Sequence, residues 1–364
     1  MVGSILIVTL VALFIVGLNV YFRVQNALFL LGLLGFLLVV ITWLVQGSHS
    51  FAANFTENSG VGLGGHLDTA ASDAGYANGG PFSLKWTLFA GTWVYINLVF
   101  NQSSAYIGGE VRRASRLQLW SMPIAALLSI SALLLLLALA DKVVGLETVG
   151  KIAASQGFTF TQIAGFGVGS TLLAGLILFC FIFWSYTWLP GQILNASRNF
   201  LAYSLDGLMP RQLGDVHPRF HTPVNSLALV GAGSIGALWL FTHWDDFAAL
   251  VGIFGFILGF MLVSLAAVLF PYRLRDVFES SPVRWRVAGI PVVSIVGALS
   301  LVALAIMAWA FWTDPSAGIA GKNSTKILNF GIFASGLVVY FTAAAIRRAQ
   351  GVAVERRFKE IPVE

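Results

Sequence analysis

The polar residues of this chain are gathered into short clusters between long apolar runs. A helix that crosses the hydrocarbon of a bilayer needs about 20 mostly apolar residues, since lipid offers nothing to an unsatisfied backbone group. Nine stretches meet or approach that length: residues 4–19, 26–46, 87–108, 117–140, 163–188, 224–242, 248–270, 288–312 and 327–346. They predict an all-α polytopic membrane protein with nine transmembrane helices. The opening run is the shortest. It lacks a basic start and a clear small-residue cleavage site and leads directly into a second apolar run, so it reads as a helix rather than a signal peptide.

The segments between the runs differ in kind. Residues 47–86 are rich in Gly, Ser, Asn and Asp, which predicts a flexible loop with little apolar surface to bury. Its sequon Asn54-Phe55-Thr56 is a weak glycosylation signal. Residues 189–223 are amphipathic and punctuated by Pro190, Asp206-Gly207, Pro210, Pro218 and Pro223. They should lie along the membrane surface. The expected organisation is two helices in 1–46, the loop 47–86, a transmembrane core 87–270 that includes 189–223, two peripheral helices in 271–346, and a basic tail 347–364.

Composition and charge sharpen the picture. At 57% hydrophobic and 10% charged residues, the chain is too apolar for a water-soluble surface, where about a quarter of residues are charged. Of the 21 Lys and Arg, sixteen fall on one side of the runs, and only Lys85, Lys142, Lys151, Lys322 and Lys326 on the other. The carboxylates divide evenly, so the bias is one of Lys and Arg. It predicts a cytoplasmic C-terminus, an external 47–86 segment and an external Met1. The net charge of +5 follows from this topology and from anionic lipid, so nucleic acid is not an expected partner. The single cysteine, Cys180, excludes an intramolecular disulfide or a Cys-based zinc site and reads as packing.

Catalysis finds little support. No Asp, Glu, Lys, Arg or His lies in the middle of a run, whereas an intramembrane enzyme ordinarily needs one there. His217 and His221 have no third partner at metal-ligand spacing. Neither metal nor cofactor is expected. Gly165-x-Gly167-x-Gly169 and Gly252-x-x-Gly255-x-x-x-Gly259 lie in apolar runs and read as helix-packing glycines. The third run departs from the apolar rule: Asn97, Asn101, Gln102, Ser103 and Ser104 put amides and hydroxyls at membrane depth, followed by Gly108-Gly109 and Glu110. Such groups either glue helices together or line a solute path, and clustering alone leaves both open. Trp184, Ser185, Tyr186, Trp188 and Gln192 near the end of the fifth run fit an interfacial belt better than a cavity. Asn195, Ser197 and Arg198 follow.

Two strings carry a resemblance. Ala105-Tyr106-Ile107-Gly108-Gly109-Glu110-Val111-Arg112-Arg113-Ala114-Ser115-Arg116 resembles the end of the sixth helix in the amino acid/polyamine/organocation permeases. Ser197-Arg198-Asn199-Phe200-Leu201-Ala202-Tyr203-Ser204-Leu205-Asp206-Gly207-Leu208-Met209-Pro210 resembles that family's segment after its eighth helix, and Val216-His217-Pro218-Arg219-Phe220-His221-Thr222-Pro223 continues it in register. The resemblance implies a leucine-transporter-like fold of inverted five-helix repeats, with substrate bound beside broken first and sixth helices. The nine runs then correspond to helices four to twelve: 1–46 is the remnant of the first repeat, 87–270 holds the second, and three leading helices have no counterpart. The family's Gly-aromatic-acid break aligns with Phe100, Asn101 and Gln102, and Trp93 is the position to which an aromatic gate would move. Some proton-coupled relatives carry a Lys in their fifth helix; residues 26–46 contain none.

The leading expectation is a secondary-active permease of the plasma membrane, N-terminally truncated, moving an amino acid or related amine by alternating access. Substrate would meet Asn97, Asn101, Gln102, Ser103, Ser104 and Trp93. Glu110, Arg112, Arg198, Asp206 and Gly207 would form a cytoplasmic gate, and Ser185 is carried as the position for a coupling ion. The rival is a non-transporting membrane scaffold or partner subunit derived from a permease.

Overall fold

The computed structural model describes residues 2–76, 82–110, 114–248, 252–314, 319 and 323–351. The chain is helical almost throughout and compacts into two units, each drawn from separate stretches. One comprises Val16–Phe82 and Ile124–Leu194; the other comprises Met1–Ile15, Ser83–Pro123 and Asn195–Glu364.

Helix α1 (Val2–Val16) stops at Gly17, whose φ of 138° only glycine adopts without strain, and α2 (Leu18–Val45) starts at once. Arg23 therefore lies within α2 rather than in a loop between spans. In the first unit, α2 meets α9 (Thr171–Leu205) through small residues. A Cβ on Gly32 would fall 2.2 Å from the Trp184 ring, and one on Gly35 would fall 2.7 Å from Cβ of Cys180. Cys180 is fully buried at this contact, the packing role its surroundings predicted. Gln25 adds an amide bond to the Thr187 carbonyl at 2.7 Å.

The segment 47–86, expected to be a flexible loop, is instead largely helical. It contains α3 (Ser48–Ser59) and α4 (Gly65–Asp73), which bury Phe51, Phe55, Leu67 and Ala71. Composition misleads here because four apolar side chains at helical spacing are enough once other helices cover them. The cover comes from α7 (Leu146–Gln156) and α8 (Phe160–Phe166), with Ile152 and Ile163 in the same core as Trp43 of α2 and Leu139 of α6 (Ala114–Val143). The glycine cluster 165–169 ends α8 instead of continuing a span. A Cβ on Gly167 would overlap the Phe51 ring at 2.0 Å. The exposed carbonyls of this turn are taken by three amides: Gln46 and Asn54 both donate to Gly167, and Asn58 to Phe166 and Val168. Asn54 of the sequon is thus half-buried and engaged.

Lys151 joins α4 to α7, 2.8 Å from Asp68 and 2.6 Å from Glu147. Hydrogen bonds to these carboxylates push its pKa above the ordinary lysine value. A raised lysine contributes stability below its unfolded pKa of about 10.4 and loses it as pH rises through the folded value. The protection of the α4 amides, taken relative to their base-catalysed intrinsic exchange, should therefore be unchanged between neutrality and pH 9, and Lys151→Met should lower it at pH 7. Equal exchange in the variant would remove the tie.

The second unit is organised by α12 (Gly252–Arg273) and α14 (Val292–Thr313), with the short α11 (Asp245–Ala248) before them. Between them lie α13 (Arg275–Ser280) and a hairpin, β1 (Arg286–Val287) with β2 (Ile290–Pro291). Gly297 sets their separation: a Cβ there would lie 2.9 Å from the Ser264 carbonyl oxygen. Ser264 and Ser300 share a hydroxyl bond at 2.9 Å, and the Ser294 hydroxyl donates to the Val268 carbonyl at 3.0 Å. Phe254, Ile257, Leu304 and Phe311 form the apolar centre, with Tyr95 of α5 (Leu84–Leu98) packed against it. α1 packs on α10 (Val224–His243), where Val11 would meet a Cβ on Gly231 at 3.0 Å. α15 (Asn323–Ala349) ends the described chain but for two residues.

Among the described residues, seven helices are long and apolar enough to cross a membrane: 18–45, 117–143, 171–205, 224–243, 252–273, 292–313 and 323–349. Three of the nine expected spans differ. The first is a helix of 15 residues, the third is broken, and the fifth, expected over 163–188, starts at Thr171 and runs on to Leu205, so that residues 189–205, expected along the membrane surface, continue its helix.

Candidate functional site

The break in the third apolar run, where α5 gives way to another helix type, is the site's organising feature. α5 begins with the Ser83 hydroxyl accepting from the Trp86 amide and runs regularly to Leu98. From Val99 to Glu110 the backbone tightens into a 3-10 helix of 12 residues. Such helices seldom exceed three or four residues, and a 3-10 stretch that continues an α-helix often marks a functional hinge or a sequence under strain. The local sequence favours it: Asn101, Ser103 and Ser104 compete with the backbone for hydrogen bonds and weaken an α-helix.

With three residues per turn, side chains three apart share a row. Phe100, Ser103 and Tyr106 make one such row, Asn101 with Ser104 a second, and Val99 with Gln102 a third. Their partners differ accordingly. Phe100 packs edge-on against Phe256 of α12, ring centres 5.7 Å apart. The Ser103 hydroxyl accepts from the buried Asn195 amide at 3.2 Å, and the Ser104 carbonyl accepts from Gln118 at 2.8 Å. Gln102 is the exception: both its amide oxygen and its amide nitrogen are buried, and neither has a hydrogen-bond partner among the described residues. The buried Tyr95 hydroxyl is likewise unpartnered.

The other expected residues are not gathered here. Asn97 donates to the Trp93 carbonyl of its own helix at 2.7 Å, and Trp93 is 55% exposed. Ser185 lies within α9, its side chain outside what the structure describes, as is that of Glu110; Arg112 is outside the described residues altogether. Sequence reasoning missed Tyr95, Gln118 and the role of Asn195. Tyr95 stands seven positions before Gln102, a helical repeat that was available as a signal.

Beside the 3-10 segment lies an open groove of 350 Å³ lined by Tyr106, Gly252, Gly255, Phe256, Gly259, Phe260 and Val263. A Cβ on Gly252, Gly255 or Gly259 would meet no atom within 4 Å. These glycines were expected to pack a helix; among the described residues they widen a groove instead. An apolar pattern shows that a face is smooth, not what covers it.

The motif after α9 is a helix stop. Gly207, at φ 80°, supplies the left-handed residue, with Gly207 N–H bonded to the Ser204 carbonyl and Leu208 N–H to that of Tyr203. The turn thereby turns two carbonyls outward. Arg347, in the last turn of α15, donates to Gly207 at 2.6 Å and to Met209 at 3.3 Å. Asp206, the expected gate partner of Arg198, has no side-chain hydrogen bond or ion pair among the described residues, so the two are not joined. His217 also serves the backbone: its Nδ1 accepts from the Arg219 amide at 3.2 Å.

No solved structure matches the chain. The family model for amino acid permeases matches residues 1–343, nearly the whole chain, and includes both strings that carry the resemblance, the broken third span and the helix stop at Gly207. The chain belongs to the amino acid permease family, a multi-pass membrane protein of the transporter kind.

Proposed function

We propose that this protein carries an amino acid or a related amine across the plasma membrane by alternating access, and that the broken third span holds the polar part of the substrate. The observation that supports this reading is the buried, unpartnered amide of Gln102 within a 3-10 segment of 12 residues. A buried polar group without a partner costs about 1–3 kcal/mol. Helix glue would have used that amide; here Ser103 and Ser104 are held by Asn195 and Gln118 while Gln102 is not. An amide offers both a donor and an acceptor, which suits the carboxylate and ammonium of an amino acid. Interrupted helices in transporters recognise polar solutes in this way. In this reading Asn101 lies in the neighbouring row and lines the path, whereas Asn97 stays on its own backbone. The C-terminus and the turn at Gly207 lie on the cytoplasmic side.

Counterflow in proteoliposomes tests the proposal. Vesicles preloaded with an unlabelled amino acid should take up the same labelled amino acid faster than empty vesicles, across a panel of the natural amino acids. A scaffold derived from a permease predicts no flux for any member of the panel.

A further inference from the structure

A second cavity lies at the membrane-surface ends of α9 and α15, away from the broken span. It measures 430 Å³ and is walled by Ser204, Leu205, Gly207, Arg211, Gly214, Asp215 and Arg347. Two of its residues bear a guanidinium, and they differ in state. Arg347 is fixed: Nε donates to Gly207, one terminal nitrogen to Met209 and the other to Gln350 at 3.1 Å. Fixing leaves each terminal nitrogen a further hydrogen to donate. The Arg211 side chain is exposed, and its guanidinium has no hydrogen bond or ion pair among the described residues. One wall is tightly packed: a Cβ on Gly214 would come 2.9 Å from the Ser204 hydroxyl. That hydroxyl gives its proton to the Pro210 carbonyl at 2.8 Å.

We propose that this cavity binds a phosphate-bearing anion, supplied by the headgroup of an anionic phospholipid. The planar guanidinium matches the spacing of phosphate oxygens, and a pre-fixed arginine loses little freedom on binding. Two arginines against the single carboxylate of Asp215 leave the cavity positive, which excludes a simple cation and favours an anion. The volume admits a phosphate with a glycerol attached, more than an inorganic ion needs. The cavity's place at the ends of two apolar spans puts it at headgroup depth, where anionic lipid is concentrated. Asp215 acts against the ligand and sets its affinity.

The test uses the purified protein in a non-ionic detergent, with binding followed by native mass spectrometry. Phosphatidylglycerol should bind to the wild type. Arg211→Gln, which removes no described contact, should weaken binding about tenfold or more, and Asp215→Asn should strengthen it. Inorganic phosphate and glycerol phosphate are added in a parallel series. If they bind with the same dependence on Arg211 and lipid does not, the site takes a soluble phosphate, and the assignment to lipid is wrong. If no phosphate compound binds, or if Arg211→Gln and Asp215→Asn both behave as wild type, the site itself is overturned.

Discussion

Replacing Gln102 by methionine is expected to weaken substrate binding up to about tenfold while leaving thermal stability unchanged or raised. The two effects part because the Gln102 amide is buried without a partner. Its removal takes away no bond in the empty protein and ends the cost of a desolvated polar group, about 1–3 kcal/mol. With substrate present, the same change removes one hydrogen bond, worth about 0.5–1.5 kcal/mol, and 1.4 kcal/mol is tenfold in affinity. Methionine keeps the length and fills the space flexibly. Ser103→Ala provides the contrast: it strips the Asn195 amide of its acceptor and should lower the melting temperature. Both quantities are to be measured on the same purified protein. A Gln102→Met variant that melts early and binds with wild-type affinity would make the amide a packing group and end its assignment to the substrate.

Gly297→Ala is expected to have the largest effect on folding. The added methyl would lie 2.9 Å from the Ser264 carbonyl oxygen and 3.1 Å from the Val268 nitrogen. These are backbone atoms, so the clash cannot be relieved by rotating a side chain. The helices α12 and α14 must separate, stretching the Ser264–Ser300 and Ser294–Val268 bonds and opening the core around Phe254, Ile257 and Phe311. Overpacking of this kind costs about 1–3 kcal/mol, and each interhelical polar bond lost adds about 0.6 kcal/mol. Ser264→Ala, which removes one such bond without a clash, should melt only slightly below wild type. A Gly297→Ala protein as stable as Ser264→Ala would mean that the two backbones do not approach so closely.

The helices were legible because lipid imposes a length and a composition that few sequences meet by chance. The failures have a common cause. Hydropathy averages over a window, and the third run averages apolar through Trp93, Val94 and Tyr95 while Asn101 to Ser104 reset the backbone geometry. That reset depends on a few local competitions for hydrogen bonds. The residues 47–86 failed in the opposite sense: their polar average hides Phe51, Phe55, Leu67 and Ala71, whose value lies in partners more than 70 positions away, such as Ile152 and Ile163. The expectation that glycines pack helices holds at Gly165, where a Cβ would lie 3.1 Å from the Leu178 side chain, and fails at Gly252, Gly255 and Gly259, where spacing carries no information about what lies opposite. Of the candidate site, the polar cluster was visible in the sequence. Which amide would be left without a partner was not, because that depended on where Asn195 and Gln118 happen to reach.

The 3-10 segment is also a length. Twelve residues rise about 2.0 Å each in this geometry and about 1.5 Å each in an α-helix, so the segment is about 6 Å longer than its α-helical equivalent. Each residue also advances about 120° around the axis instead of about 100°. Six residues reverting to α geometry would shorten the span by about 3 Å and unwind it by about a third of a turn, carrying the row of Phe100, Ser103 and Tyr106 off its present bearing. The segment is a coiled screw in series with a rigid rod: pitch, translation and rotation are bound together, so the rows of side chains cannot be re-aimed without also drawing in the end of the span.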